Sequence, residues 1–262
     1  CSDEGHSIDS QAMAIAAASV DAVSLGSSWS LRYTPGVYAS MNRNDVLFAW
    51  GRRQIDMIYE SDALVRRYVE CGYPTIGSCL NDRKLVGEIL SVIKSGSENE
   101  NRRRIVTFYD QVCGVDIIIS CNELCMMYNA ILDWVESEDN NLLIIKTKRD
   151  CYRKLGKDMC DRIDGLERKG DVLIRSEHGD LVGLVSGAVI GVSANSLGCV
   201  VSAHGVPGVF YDWHGVMDSN YWPLELDNAF IVKDPAGILS AIEQALSFKG
   251  NGKPANGGSV DA

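Results

Sequence analysis

The sequence contains no run of 18 or more apolar residues and no charged-then-apolar leader, so we predict neither a membrane-spanning helix nor a signal peptide. Positive charge is also scarce, because 25 lysines and arginines stand against 35 acidic residues and the formal net charge is −10. This balance argues against a nucleic-acid partner, although it permits a local cationic pocket for a phosphorylated small molecule. We therefore expect a cytoplasmic protein without a nucleic-acid partner. A membrane-bound assembly at the inner membrane can recruit this protein as a peripheral component.

The cysteines do not have the spacing that is typical of a metal site. There are nine of them, and none forms a C-x-x-C pair. Cys121 and Cys125 would lie one helical turn apart, but no second pair and no nearby histidine completes a zinc site. Since most of the cysteines lie inside apolar patterns, buried reduced thiols of a cytosolic protein explain them.

Several catalytic motifs are missing as well. The sequence has no G-x-S-x-G, no G-x-x-x-x-G-K-S/T and no G-x-G-x-x-G, which removes support for a covalent hydrolase, a P-loop NTPase and an NAD dehydrogenase. It also lacks a D-x-D element for a metal-bound diphosphate. A leaving phosphate would then be stabilised by a helix dipole and cations rather than by a metal. We expect no cofactor and no metal.

The most informative stretch begins with the apolar run 189–192. Ser193, Asn195 and Ser196 follow at once, and a helical pattern of small residues then ends at Gly205. This order predicts a buried strand, a tight turn and a helix N-terminus, whose N–H groups and positive dipole attract a phosphate. Ordinary helix capping is the plainer interpretation. Two hydroxyls and an amide exceed what a cap requires, so we predict phosphate contact.

Strand and helix patterns alternate regularly after residue 99. The predicted strands cover residues 104–110, 142–146, 171–174, 189–192, 208–212 and 229–232. The predicted helices cover residues 122–137, 152–168, 180–186, the segment that ends at Gly205, and 235–246. This alternation predicts an α/β fold with a Rossmann-type parallel sheet and helices on both faces.

The earlier part of the chain shows the same alternation in compressed form. Its predicted helices cover residues 7–21 and 52–60, and its predicted strands cover 22–25, 45–51 and 68–74. A polar, turn-rich stretch at 94–104 marks the predicted boundary. We therefore expect a smaller or incomplete α/β domain at 1–98, a Rossmann-like domain at 99–250 and a disordered tail at 251–262.

Ligands of parallel sheets bind beyond the carboxyl ends of the strands, so polar residues at strand ends are candidates. Lys146, Lys148 and Arg149 directly follow a predicted strand and could neutralise phosphate oxygens, with a solvated loop as the plainer alternative. Asp110 follows another strand.

Two more strand ends carry groups suited to a sugar or a proton transfer. Glu177 could accept hydrogen bonds from ribose hydroxyls, and the neighbouring His178 could act as an acid or base. Asp212 precedes Trp213, an aromatic that could stack on a base or a sugar. Exposed turns are the alternative for both, and His204 is expected to be structural.

A general base is predicted near the start of the chain. Asp3, Glu4 and His6 group two carboxylates and an imidazole beside a helix start. One of them could deprotonate an acceptor hydroxyl. A frayed terminus is the alternative.

Three stretches together resemble the C-terminal domain of GT-B glycosyltransferases. They are 142–149 (LLIIKTKR), 171–174, and 189–211 (VIGVSANSLGCVVSAHGVPGVFY), and the resemblance is nearest to enzymes of bacterial surface and capsular polysaccharide biosynthesis. In that family a strand, a small-residue turn and a helix ending in G-x-P bind the donor's phosphate. The segments DVLFAWG and ECGYP resemble the family's N-terminal acceptor domain, so the likeness covers most of residues 20–246.

The resemblance implies a GT-B-like, metal-independent glycosyltransferase. It would move a sugar or polyol-phosphate from a nucleotide-activated donor, its substrate, to a surface polysaccharide or its precursor, with a glycan or lipid-linked acceptor as partner. Ser193, Asn195 and Ser196 would hold the donor phosphates, and Glu177 or Asp212 would meet ribose or sugar hydroxyls.

Two departures from the family pattern shape this expectation. The His-Pro dipeptide of several transferases that use CMP-activated sugars is absent, which argues against such a donor. The opening strands of a complete first domain are also missing, so we expect a fragment or a reduced homologue. A UDP-sugar 2-epimerase-like enzyme and an inactive nucleotide-sugar-binding domain remain the alternatives.

Overall fold

The computed structural model describes residues 8–28, 42–73, 87, 91, 104–114, 119–147, 150–176, 179–193, 195–213, 215 and 226–248. The chain divides into two compact units. One comprises Cys1–Pro74 with Val216–Glu225, and the other comprises Thr75–Gly215 with Leu226–Ala262. The predicted boundary at residue 98 and the predicted tail at 251–262 lie outside the described residues.

The smaller unit is built on a three-stranded parallel sheet in the order β1–β2–β3. Its elements are α1 (Ile8–Ser19), β1 (Leu25–Ser27), β2 (Val46–Ala49), α2 (Arg52–Glu60) and β3 (Arg67–Glu70). Leu47 of β2 packs with Met57 and Ile58 of α2, and all three are buried. The predicted helix at 52–60 is confirmed.

The first strand starts later than its sequence indicated. We predicted a strand at 22–25, whereas β1 spans Leu25–Ser27 and is preceded by hydrogen bonds that join Ser24 to the start of β2. The amide and hydroxyl of Ser24 each donate to Asp45 Oδ2 at 2.8 Å, and the Asp45 amide donates back to Ser24 Oγ at 2.9 Å. The backbone and side-chain hydrogen bonds from Ser24 lower the pKa of Asp45. This exchange fixes the starts of β1 and β2.

The larger unit contains a six-stranded sheet in the order β6–β5–β4–β7–β8–β9, with every pair parallel. Its strands are β4 (Arg104–Tyr109), β5 (Asn141–Lys146), β6 (Val172–Arg175), β7 (Ala188–Val192), β8 (Gly208–Tyr211) and β9 (Ala229–Val232). The chain runs outward from β4 to β6 on one side, returns to β7 beside β4, and runs outward again to β9. This is the doubly wound order of Rossmann-type folds.

Helices cover both faces of this sheet, as predicted. They are α3 (Cys121–Ser137), α4 (Lys157–Lys169), α5 (Gly179–Leu184), α6 (Ser196–Ala203) and α7 (Ile238–Ser247). The main core joins α3, α4 and α7 to alternate residues of the strands, such as Phe108 and Ile190. The intervening strand residues, among them Tyr109 and Val189, pack against α5 and α6.

Helix α3 is favoured by both the period of its apolar residues and the cap at its N-terminus. Its buried residues recur three and four positions apart, which places them on one face. The Glu123 amide donates to Ser120 Oγ at 3.2 Å, and the Ser120 amide donates to Glu123 Oε2 at 2.9 Å. This reciprocal capping box satisfies two amides that the first turn would leave without partners.

The predicted helix at 152–168 is two elements rather than one. A 3₁₀ turn at Cys151–Lys154 precedes α4, and Gly156 separates them with a φ of 102°. A positive φ interrupts a right-handed helix, and glycine adopts it without the steric cost that a Cβ imposes. The predicted helix at 235–246 is confirmed with Asp234 as its cap, although its first turn at Pro235–Gly237 is 3₁₀.

We expect alanine to have opposite effects at two helical glycines. At Gly183 in α5 an added Cβ would collide with the Tyr109 hydroxyl and lie 2.9 Å from Val201 Cγ2. Gly183→Ala should therefore lower the free energy of unfolding by about 1–3 kcal/mol. At Gly165 in α4 nothing lies within 4 Å of an added Cβ. Gly165→Ala should raise that free energy by about 0.5–1 kcal/mol through helix propensity.

Urea denaturation of both variants beside the parent chain measures the two effects. Gly165→Ala is the matched control, because it makes the same chemical change in a helix with open space. A neutral result for Gly183→Ala would contradict the close packing around Tyr109.

Candidate functional site

The doubly wound order creates one place where neighbouring strands send the chain in opposite directions. Strands β4 and β7 are paired, with Thr107 opposite Val189, yet β4 leads toward β5 and β7 leads toward β8. Such a switch point, at the carboxyl ends of the strands, is where α/β sheets bind ligands. Asp110 follows β4 and Ser193 follows β7 at this edge.

The turn after β7 is held by buried hydrogen bonds. Ser193 adopts a φ of 44°, which is uncommon for a residue other than glycine. Its amide donates to the Tyr211 carbonyl at 2.7 Å, and its hydroxyl donates to Asp212 Oδ1 at 3.2 Å. Ser193 and Asp212 are only 2% and 0% exposed, so both side chains are committed to the turn.

Helix α6 starts directly after this turn and points its N-terminus at the same edge. Asn195 caps it, because its Oδ1 accepts from the Gly198 amide at 3.0 Å. A Cβ at Gly198 would lie 3.1 Å from Phe210, and one at Gly191 would lie 2.9 Å from the Asn195 Cβ. The two glycines therefore let the helix start approach the sheet closely. Ser196 is the first helical residue.

Lys146 supplies a positive charge at the ends of β5 and β6. Its Nζ donates to the Ser176 carbonyl at 2.6 Å and to the Thr147 carbonyl at 3.3 Å. Its aliphatic chain passes the start of α5, where a Cβ at Gly179 would lie 3.0 Å from the Lys146 Cε. The cation is thereby held over the carboxyl edge of the sheet.

The remaining predicted site residues cannot be placed by the structure. Lys148, Arg149, Glu177 and His178 lie outside the described residues, and so do Asp3, Glu4 and His6. Their roles stay predictions. The described part of the chain brings Ser193, Asn195, Ser196 and Asp212 together around one turn, with Lys146 at the same edge of the sheet.

Asp110 and Tyr128 are buried neighbours that the sequence analysis did not join. Asp110 accepts from its neighbour Gln111 at 2.9 Å and from the Cys151 amide at 3.2 Å, which ties the end of β4 to the segment after β5. Burial raises the pKa of Tyr128 well above its usual value, and the negative charge of Asp110 adds to the rise. Within the described part of the chain, the Tyr128 hydroxyl has no well-directed hydrogen bond. In the sequence, Tyr128 is marked only as a tyrosine among the apolar residues that form the buried face of α3.

The described ranges lack two further features. No group of three or more histidine, cysteine or acidic side chains there is arranged to hold a metal ion. None of the helices in those ranges has the length and apolar character needed to cross a bilayer.

Solved structures of GT-B glycosyltransferase type are similar to this chain at low identity. A variant of the wall teichoic acid polymerase TagF has a TM-score of 0.55 and 13% identity, over 86% of this chain and 65% of its own. The N-terminal domain of a Candida albicans trehalose-6-phosphate phosphatase has a TM-score of 0.52 and 11% identity, over 90% and 61%. An α,α-trehalose 6-phosphate synthase from Burkholderia multivorans has a TM-score of 0.52 and 12% identity, over 93% and 62%.

The chain therefore has an α/β fold of the GT-B glycosyltransferase type, as its sequence resemblance implied. It spans between 61% and 65% of the length of these three solved structures. No protein-family model matches the sequence, and no curated protein matches it. The likeness establishes the fold and carries no information on donor or acceptor.

We expect two tyrosines near the carboxyl end of β4 to respond differently to loss of the hydroxyl. Tyr128→Phe removes a buried hydroxyl that lacks a well-directed partner among the described residues, so the free energy of unfolding should stay unchanged or rise by about 1 kcal/mol. Tyr109→Phe removes a donor that lies 2.8 Å from the Gly179 carbonyl, and should lower the free energy of unfolding by about 0.5–1.5 kcal/mol. Urea denaturation of both variants beside the parent chain measures the two changes. A larger loss for Tyr128→Phe than for Tyr109→Phe would show that Tyr128 is bonded after all.

Substitutions at Asn195 separate the capping role from any ligand role. Asn195→Ala should lower the free energy of unfolding by about 1 kcal/mol, because it removes the acceptor for the Gly198 amide. Asn195→Asp retains an acceptor at the same position and should stay within a few tenths of a kcal/mol of the parent chain. Thermal denaturation of both variants is the measurement, and equal losses would refute capping as the side chain's structural role.

Proposed function

We propose that this chain binds a nucleotide-activated donor at the carboxyl edge of β4 and β7 and transfers its sugar or polyol-phosphate to a surface polysaccharide or its precursor. The observation that carries the proposal is the position of the turn at Ser193–Ser196. It lies at the switch point of a doubly wound sheet, and the fold is of the GT-B type.

The phosphate contact rests on the start of α6. The first amides of a helix have no partner within the helix and carry its positive dipole, so they favour an anion. In the proposed complex the hydroxyl of Ser196, in the first turn, adds a hydrogen bond to the phosphate. Ser193 contributes differently, because its hydroxyl donates to Asp212 and its amide to Tyr211. We assign Ser193 and Asp212 to holding the turn in the conformation that presents these amides.

Charge at this edge supports the same assignment. The protein as a whole is acidic, with a formal net charge of −10, yet Lys146 is fixed at the edge by two carbonyls. Lys148 and Arg149 follow within three positions in the sequence. In the proposed reaction these cations and the α6 dipole stabilise the negative charge of the leaving phosphate without a metal.

The remaining chemistry is assigned to residues outside the described ranges. A carboxylate or imidazole among Asp3, Glu4 and His6 would take the proton of the acceptor hydroxyl as that oxygen attacks the donor. Glu177 would accept from ribose or sugar hydroxyls, with His178 beside it. The acceptor is proposed to be a glycan or a lipid-linked precursor.

A thermal-shift screen against UDP, GDP, CMP, CDP and CDP-glycerol tests the donor site. Binding at about 100 times Kd adds roughly 2.7 kcal/mol of stability, which in a chain of this size should raise Tm by about 5 °C or more. We expect one nucleotide to act selectively and Ser196→Ala and Lys146→Ala each to abolish most of its shift. Asn195→Asp should also lose it, because a carboxylate at the cap repels phosphate.

The matched control is Lys169→Ala. It removes a lysine from the last turn of α4, at the opposite edge of the sheet, and should keep the full shift. No shift with any of the five nucleotides would refute the donor site.

Once a nucleotide binds, incubation of its sugar conjugate with and without acceptor glycan separates the functions. Release of the free nucleotide only in the presence of acceptor supports a transferase, and its release without acceptor indicates a 2-epimerase-like enzyme. Binding of the conjugate without release of the nucleotide indicates an inactive domain.

A further inference from the structure

Two cationic residues lie directly opposite each other at the carboxyl ends of neighbouring strands. Lys146, the last residue of β5, pairs in register with Arg175, the last residue of β6. The Thr147 amide then donates to the Arg175 carbonyl at 2.9 Å, so the two strand ends are fixed against each other just beyond this pair. Because neighbouring strands lie about 4.8 Å apart, the two side chains start close together.

Both side chains also belong to the same face of the sheet. Ile144 of β5 and Leu173 of β6 pack with Val182 of α5. Lys146 and Arg175 are two positions further along the same strands, and residues two positions apart share a face. The two cations therefore lie on the face that α5 covers, at its carboxyl edge, and each is half-buried.

Carbonyl oxygens hold both cations in place. Lys146 Nζ donates to the Ser176 and Thr147 carbonyls, and Arg175 Nη1 donates to the Ile174 carbonyl at 2.9 Å. In the described part of the chain no carboxylate lies within 4.0 Å of the Arg175 guanidinium. Like charges on directly opposite residues of neighbouring strands repel each other, and partial burial limits their screening. The pair therefore lowers the stability of the unliganded chain, and an anion bound to both cations would remove this cost.

The cation pair lies beside the turn to which we assigned the donor phosphates. A Cβ added at Gly179 would lie 2.8 Å from Leu197 Cδ1 and 3.0 Å from the Lys146 Cε. The aliphatic chain of Lys146 and the first turn of α6 therefore meet next to Gly179. An anion held by the first amides of α6 has the cation pair as its neighbour.

We propose that Lys146 and Arg175 together bind the second phosphate of a nucleoside diphosphate, while the amides at the start of α6 hold the first. This inference rests on the proposed function; it adds Arg175 to the donor site and makes a diphosphate the group that the site selects. Arg175 presents a planar fork of N–H donors that matches two phosphate oxygens, and Lys146 adds a point charge. The repulsion between the two cations is then replaced by the attraction of each to the phosphate.

Arg175→Met tests the proposal, because it removes the charge and keeps a long aliphatic side chain. Isothermal titration of the parent and variant chains compares CDP with CMP, UDP with UMP or GDP with GMP, according to the base that the thermal-shift screen selects. We expect Kd for the diphosphate to rise about tenfold or more and Kd for the monophosphate to change little. Arg175→Lys keeps the charge and should recover most of the lost affinity.

The unliganded chain gives a second measurement, which depends on no nucleotide. Removal of one of two like charges should raise the Tm of unliganded Arg175→Met by about 1–3 °C. Arg168→Met is the matched control, because it makes the same change in the last turn of α4, at the opposite edge of the sheet. It should leave both Kd values unchanged and should not raise Tm.

The outcomes separate this inference from the proposed function. Binding of no nucleotide to the parent chain would refute the donor site and the cation pair with it. If the parent chain binds a nucleotide but Arg175→Met keeps the parent's Kd for the diphosphate, or weakens both phosphates equally, the inference is wrong while the donor site stands. A Tm of unliganded Arg175→Met that fails to rise would also overturn it, because Arg175 would then protect the edge strand β6 rather than repel Lys146.

Discussion

Burial of both faces of the six-stranded sheet is the constraint on which the rest of the larger unit depends. All five strand pairs are parallel, and the described helices cover both faces of the sheet. Strand β5 shows the consequence, because its first five residues are all buried and four of them are Leu or Ile. Each such side chain gains about 1.5–3 kcal/mol from burial. This gain leaves little tolerance for a polar group within the strands.

Polar chemistry is consequently displaced to the strand ends. Asp110, Lys146, Ser193 and Asp212 each stand at or just beyond the last residue of a strand. Asp110 and Asp212 are 2% and 0% exposed, and each is anchored by the backbone or by a hydroxyl of a neighbouring segment. Because buried charge is costly unless it is hydrogen-bonded, these contacts fix the loops as well as the carboxylates. The carboxyl ends of the strands, where we propose that the donor binds, are thus also the place where these hydrogen bonds hold the loops.

An element could be predicted from the sequence where its local pattern agrees with its packing in the folded chain. Helix α3 was predicted from its apolar period, which its buried face follows, and the parallel sheet with helices on both faces was predicted from the regular alternation of strands and helices. The break at Gly156 was missed because a positive φ leaves no mark beyond a glycine, which helices also tolerate. The pairing of Asp110 with Tyr128 was missed because it joins a strand end to the middle of a helix. Such contacts depend on how the layers stack, which no local pattern records.

The turn after β7 places few demands on the types of residue that form it. Ser193 and Asp212 bond to each other, and Asn195 bonds to the helix that it caps. In the proposed site, recognition of an anion is then left mainly to backbone amides, which every residue type except proline supplies. What the site demands of the sequence is small size where α6 meets the sheet, as at Gly191 and Gly198. A turn of small residues after a buried strand is therefore a weak sequence motif even where the geometry it encodes is strict.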